Sequence, residues 1–243
     1  MFEINLTVTI LLILRLHHAD HYLIPDAEIS KPDNSLDHFV FSQQWPVSGC
    51  KYWIHGLNGS ECVYPNKKNQ WTIHGIWPRT VEGKYLDFCN NSWPFDPKEI
   101  KSIESELEQA WTNIYKGTDP YIFWGHEWDK HGTCATDNES FNSQFKYFSM
   151  GIEWNKKYSL LDMFDAANIF PSDTKELTFD ELYNAVKAKT KKNPMAECYI
   201  VDGVIYLQEI RICLDKQLNP IDCVPVVDKY CHVSKSIIFP ANA

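Results

Sequence analysis

The chain has no apolar run long enough to cross a bilayer, which takes about 20 residues. The nearest approach is "LTVTILLIL" (Leu6–Leu14). That length fits the core of a signal peptide, and we expect a signal over roughly residues 1–20 and a single domain over 21–243. The segment before the run carries Glu3 and no Lys or Arg, and no small-x-small site fixes the cleavage point near Arg15–His21. The alternative is a buried strand at the mature N-terminus. The chain also lacks a Gly/Ser-rich or Pro-rich linker and any internal repeat, which excludes tandem modules. It lacks C-x-x-C, which argues against structural zinc. It lacks positive charge in excess. A net charge of −9 excludes a protein that grips nucleic acid by bulk phosphate electrostatics. An enzyme that only visits a polyanion needs local positive charge. The lysine clusters at 66–68, 155–157 and 187–193 read as solvated faces.

What is abundant is aromatic area: 9 Trp, 12 Tyr and 13 Phe. Eight cysteines, an even number, predict four disulfides in an oxidising compartment, with 105 pairings open from sequence alone. Sequons at Asn58, Asn90 and Asn138 predict surface glycans. Asn5 also matches but falls inside the expected signal.

The pattern along the chain predicts strands at 38–46 and 70–78 and helices at 96–115, 121–132, 140–158, 159–169 and 178–190. A hairpin over 197–213 turning at "DG" and a last strand at 236–240 follow. Strands at both ends with helices between them predict an α+β fold, with several helices packed on a central antiparallel sheet stapled by disulfides.

Residues 123–134, "FWGHEWDKHGTC", place His126, Glu127, Lys130 and His131 within roughly 140° of arc on one helix face. Trp124 and Trp128, at i,i+4, would anchor the other face in the core. "HEWDKH" is one residue longer than the zinc motif H-E-x-x-H, so its histidines chelate one metal poorly. Cys134 reads as half of a disulfide rather than a nucleophile. The remaining chemistry is acid–base catalysis by two imidazoles, with Lys and Glu handling an anion, as metal-free RNA cleavage requires. A second histidine is offered by "WTIHGIWP" (71–78), where His74 lies among apolar neighbours and could equally be a buried core histidine.

"WTIHGIWP" and "FWGHEWDKHGTC" together resemble the two signature segments of the ribonuclease T2 family. Weaker resemblance runs from about Phe39 to Pro240, through "QQWP" and "CNNSWPF". The resemblance implies a secreted endoribonuclease that needs no metal or cofactor. Such an enzyme cleaves single-stranded RNA to 2′,3′-cyclic phosphates and then 3′-phosphates. It implies His74 as the acid toward the leaving oxygen and His131 as the base toward the 2′-OH, with the two roles exchangeable. Glu127 would stabilise charge, His126 and Lys130 would contact phosphate, and Trp77 matches a residue that stacks on a base in some members. The implied disulfides are Cys50–Cys62, Cys89–Cys134, Cys198–Cys231 and Cys213–Cys223. Two departures are expected to matter. Arg79 stands where several members carry Asp, leaving base preference open and offering an arm to phosphate. Gly125 predicts that the helix starts or bends there.

The expected partners are RNA and, through the glycans, a lectin receptor. No membrane insertion is expected and the chain reads as a monomer. It reads as extracellular, with uptake into acidic compartments as a further step. At mildly acidic pH both histidines would be more protonated and some carboxylates neutral, easing approach of RNA. The alternative is a secreted glycoprotein on this fold that acts by binding.

Overall fold

The computed structural model describes residues 35–57, 59, 61–67, 69–224, 230–231 and 236–242. The expected signal segment and the Asn58 sequon fall outside them. Three strands carry the site. β1 (His38–Gln44) pairs antiparallel with β2 (Thr72–Arg79) on one side and with β5 (Val204–Asp215) on the other. β5 is also paired by β4 (Met195–Val201), β6 (Pro220–Ile221) and β7 (Ile237–Ile238), and β3 (Glu176–Leu177) closes the far edge on β7. The sheet is not wholly antiparallel as expected. β7 meets β5 in parallel at Tyr206–Ile238, because it arrives from outside the hairpin instead of turning back on its neighbour. The expected hairpin is present, with Asp202 and Gly203 both at positive φ, 51° and 81°.

The helices are α1 (Pro46–Lys51), α2 (Glu104–Ala110), α3 (Pro120–Lys130), α4 (Gln144–Lys157), α5 (Leu160–Ala166) and α6 (Phe179–Thr190). α1, continued by a wider turn over Tyr52–Gly56, has no sequence-level counterpart in our reading. The helix expected over 96–115 is a 3₁₀ segment, Pro97–Ile103, followed by α2. It ends at Ala110 because Trp111 leaves the helical region, at φ −125° and ψ 51°. The following residues pair instead with the loop closed by Cys50–Cys62: Val63 N–H donates to Ile114 O at 2.9 Å. The apolar stripe itself is correct, since Ile100, Leu107, Trp111 and Ile114 are all buried. α6 begins with the expected capping box, Thr178 and Glu181.

One sheet face carries the main core. Phe39 and Phe41 pack there with Trp111, Trp124, Trp128, Tyr147 and Trp154 from the helices. On the opposite face Val40, Trp77 and Cys213 form a smaller cluster. All four disulfides implied by the family resemblance form, with Cα–Cα distances of 5.8, 5.0, 5.3 and 5.2 Å in the order given above. Among the described residues no helix is long and apolar enough to cross a membrane.

Candidate active site

Two β-bulges build the strand half of the site. In β2, Ile73 and Ile76 both enter the main core although they lie three apart. Strict alternation forbids this. The register resolves it: Ser42 pairs with Gly75 and Gln43 with Ile73, so His74 is the extra residue of a bulge. The bulge turns His74 and Gly75 to the same face as Trp77. β5 repeats the device. Leu207 and Ile210 are both core residues, and the pairing of Glu197 with Glu209 and Cys198 with Leu207 leaves Gln208 extra. Glu209 is thereby turned to the face that carries His74. The carbonyls freed at the first bulge are satisfied by side chains: Trp111 Nε1 donates to His74 O at 2.9 Å and Tyr147 Oη to Ile76 O at 2.9 Å.

The helix half is α3. Asp119 caps it by accepting from Tyr121 N–H at 2.9 Å, and Pro120 occupies the first position. The helix runs through Gly125 without a break, contrary to the expected start or bend. Gly125 is buried, and a Cβ there would lie 3.4 Å from Phe95. Trp124 and Trp128 are fully buried anchors, as expected. α3 ends at Lys130, and His131 is its C-cap, donating its backbone N–H to Glu127 O at 3.1 Å.

The two halves meet around a cavity of about 230 Å³ lined by His74, Trp77, Tyr85, His126, Glu127, Lys130 and His131. Every site residue proposed from sequence is in that wall. The Trp77 ring lies between the catalytic candidates, with its centroid 5.0 Å from His74 and 5.7 Å from His131. Trp77 Nε1 donates to Glu127 Oε2 at 3.0 Å, joining strand to helix. Gly75 is what lets Glu127 approach, because a Cβ there would sit 2.2 Å from that same oxygen. None of the lysine clusters lines this cavity. A larger cleft of about 750 Å³ is bordered by Lys156, Lys157, Lys175 and Lys189, but it contains no histidine.

The electrostatics of the two imidazoles diverge. Burial works against charge on His74, yet the Glu209 carboxylate, 2.6 Å from Nδ1, outweighs it and raises the pKa. Burial pushes His131 down to about 3, helped by Lys130, His126, His74 and Arg79. Its Nδ1 is buried without a hydrogen bond, and the nearest carboxylate, Asp87, stands at 3.3 Å. Burial lifts Glu127 to about 7. Burial also lowers His126, aided by Lys130. The expectation that acid protonates both histidines together therefore applies to His74 only.

Arg79 is 4% exposed and does not reach out toward phosphate. Its guanidinium lies 3.2 Å from the Tyr85 ring centroid and donates to Gly83 O. The sequence reading missed Tyr85, Glu209, Arg211 and Asp87. For Glu209 and Arg211 a signal existed: two opposite charges at i,i+2 in the mostly apolar strand "VIYLQEIRICL". Tyr85 and Asp87 sit in a loop with no pattern to mark them.

Two imidazoles and a buried carboxyl line one cavity on a disulfide-bonded α+β domain, a set of groups able to exchange protons. The chain belongs to the Ribonuclease T2 family, whose sequence pattern matches residues 36–223. It is 36% identical over 191 residues to Ribonuclease Oy of Magallana gigas, covering 77% of this chain and 87% of that one. Against Ribonuclease T2 of Danio rerio it is 31% identical over 206 residues, covering 83% and 78%. Among solved structures it resembles RNase NT in complex with 5′-AMP, with a TM-score of 0.73 and 28% identity over 85% of this chain and 98% of that one. Human RNase T2 matches with a TM-score of 0.70 and 26% identity over 84% and 98%. The protein is an endoribonuclease of the T2 type.

Proposed function

We propose that the enzyme cleaves single-stranded RNA by two-step acid–base catalysis without a metal, and that it does so outside the cell that makes it. The observation that carries this reading is the opposite displacement of two imidazoles that flank one ring. His131 is neutral through the acid range and takes the proton from the ribose 2′-OH. The 2′-oxygen attacks phosphorus, and His74, still charged, gives its proton to the departing 5′-oxygen. A 2′,3′-cyclic phosphate results. In the second step the roles reverse: water loses a proton to His74, attacks phosphorus, and the 2′-oxygen leaves with the proton from His131, giving a 3′-phosphate. Glu127 accepts from Trp77 on Oε2. Below about pH 7 it carries a proton and can donate to a phosphoryl oxygen as charge builds there. Lys130 supplies positive charge, and His126, whose pKa burial and Lys130 lower, offers an N–H donor beside it.

Trp77 is 5% exposed and serves as the floor of the site, while Tyr85, 42% exposed and backed by Arg79, offers the free ring for a base. The four disulfides and the sequons support an extracellular route, with the glycans as handles for a lectin receptor and for uptake into acidic compartments. Asn90 and Asn138 are both half-buried, but the Asn138 Nδ2 is engaged, donating to Lys216 O at 2.8 Å, so Asn90 is the better acceptor. The protein acts as a monomer.

The test is cleavage of a labelled mixed-sequence RNA in EDTA at pH 5 and 7.5 by the wild type, His74→Ala and His131→Ala. Cyclic-phosphate ends from the wild type, and folded but inactive variants, are expected. A wild type inert at both pH values would overturn the mechanism and leave a glycoprotein that acts by binding.

A further inference from the structure

The catalytic cavity accounts for His74 on one side only. Its other side is a buried polar network that the sequence reading did not contain. Glu209 is 2% exposed. Its Oε1 faces His74 Nδ1 at 2.6 Å. Its Oε2 accepts from Ser42 Oγ at 2.8 Å, Arg211 Nε at 3.0 Å and Arg211 Nη2 at 2.7 Å. Arg211 is held in turn by Glu197 and lies 5.0 Å from the Trp77 ring. Three strands converge on one carboxylate, and the register places them there: Ser42 pairs with Arg211 across β1 and β5. Both bulges serve this contact, since one turns His74 and the other turns Glu209 to the same face.

A carboxylate can only accept, so the Nδ1 that faces it is the protonated one. The tautomer is thereby fixed, and Nε2 is the atom left to exchange a proton with substrate. The ring also loses its freedom to rotate, because Nδ1 is tied at one end and the Trp77 ring meets it edge-on at 84°.

We propose that Glu209 is a positioning residue for the reaction: it orients His74 through Nδ1, fixes Nε2 as the proton-donating atom, and keeps the imidazolium available to the leaving 5′-oxygen. This rests on the assignment of His74 as the acid. Glu209 touches neither substrate nor reacting atom. The other charged or titratable groups that face His74 are Arg211 from β5, Glu127 and His126 from α3, and His131 beyond its end. Arg211 opposes the effect of Glu209, and its own pairing with Glu197 and Glu209 keeps that opposition in check.

The experiment uses two substrates: RNA, and the 4-nitrophenyl esters of the four nucleoside 3′-phosphates, whose leaving group departs without a proton. For Glu209→Gln on RNA, kcat is expected to fall on the order of 10- to 100-fold with KM changed less than about threefold. The high-pH limb of the profile should move down by about one pH unit. On the aryl esters the same variant should stay within about threefold of wild type. Equal losses on both substrates, or an unchanged pH profile on RNA, would overturn the proposal. Should the variant fail to fold, ¹⁵N shifts of His74 in the wild type decide. Nδ1 protonated across the whole titration supports the role, and Nδ1 deprotonated at high pH refutes it. A wild type that cleaves no RNA in EDTA defeats the two-histidine mechanism instead, and the ¹⁵N result still judges Glu209.

Discussion

His74 and His131 face one cavity from opposite kinds of support. His74 sits in a strand bulge with a buried carboxylate bonded to its far nitrogen. His131 sits at the end of a helix, buried, with Lys130, His126, His74 and Arg79 nearby and no hydrogen bond on Nδ1. The first environment retains a proton and the second repels one. In the proposed mechanism that difference separates two residues of identical chemistry into an acid and a base. The sheet supplies the carboxylate behind His74, and the helix end supplies the burial around His131.

The widest separation is expected between the two alanine variants on the aryl esters. On RNA, each of His74→Ala and His131→Ala should lose about 10²- to 10⁴-fold in kcat/KM. On the esters His74→Ala should recover most of its loss while His131→Ala should not, because only the base is still needed. The reverse pattern would exchange the two roles.

The next expected effect is on the covalent tie behind His131. Cys89–Cys134 closes a segment of 45 residues and joins the chain after β2 to the end of α3. The chain-entropy account gives such a loop about 4 kcal/mol, against about 3 kcal/mol for a ten-residue loop such as Cys213–Cys223. Phe88 N–H donates to Lys130 O at 2.8 Å, so the same segment carries Asp87 to His131. The double variant Cys89→Ala/Cys134→Ala should melt well below the wild type. In its pH–rate profile the limb set by His131 should move and the limb set by His74 should not. A profile changed equally on both limbs would show that the two supports are not independent.

How much of this was legible follows from sequence distance. His126, Glu127 and Lys130 lie on one helix and His131 is its C-cap, so a 3.6-residue period brings all four to one cavity. His74 was offered by its strand only on equal terms with a buried core histidine, and its role came with the family resemblance. Its face depends on a bulge, and a bulge shows in sequence only as a broken alternation, Ile73 to Ile76. Glu209 lies 135 residues from His74. Their contact depends on the register of β1 against both β2 and β5, which no local pattern states. The helix boundary at Trp111 was missed for the same reason, since that ring is drawn out by the His74 carbonyl and the core. Arg79 was misread because its partner, the Tyr85 ring, lies in an irregular loop.

A smaller effect separates the two histidines in stability. His131 has a folded pKa, about 3, below its unfolded value near 6.5. Its contribution is therefore present above pH 6.5 and is lost as pH falls toward 3. His74 is raised, so its contribution is present below pH 6.5 and is lost as pH rises through the folded value. Urea melts of His131→Ala should show the variant gaining on wild type by about 3 kcal/mol between pH 7.5 and pH 4.5. For His74→Ala the sign should be opposite, with the variant losing ground toward acid. Two variants with the same slope would erase the distinction.

The smallest expected effect is the sharpest comparison, because it concerns the one carboxylate that the base does have. Asp87 lies 3.3 Å from His131 Nδ1, and its side chain is 39% exposed. The Glu209 side chain, 3% exposed, has three side chains holding it in place. An exposed carboxylate shares its field with solvent and salt, so proximity alone gives it little hold on the imidazole. Asp87→Asn should therefore change kcat on RNA by less than about threefold, and any shift of the His131 limb should vanish at high salt. A loss as large as that of Glu209→Gln would mean that substrate binding excludes water from Asp87. The base would then work with a carboxylate behind it as well, and the two halves of the site would differ only when empty.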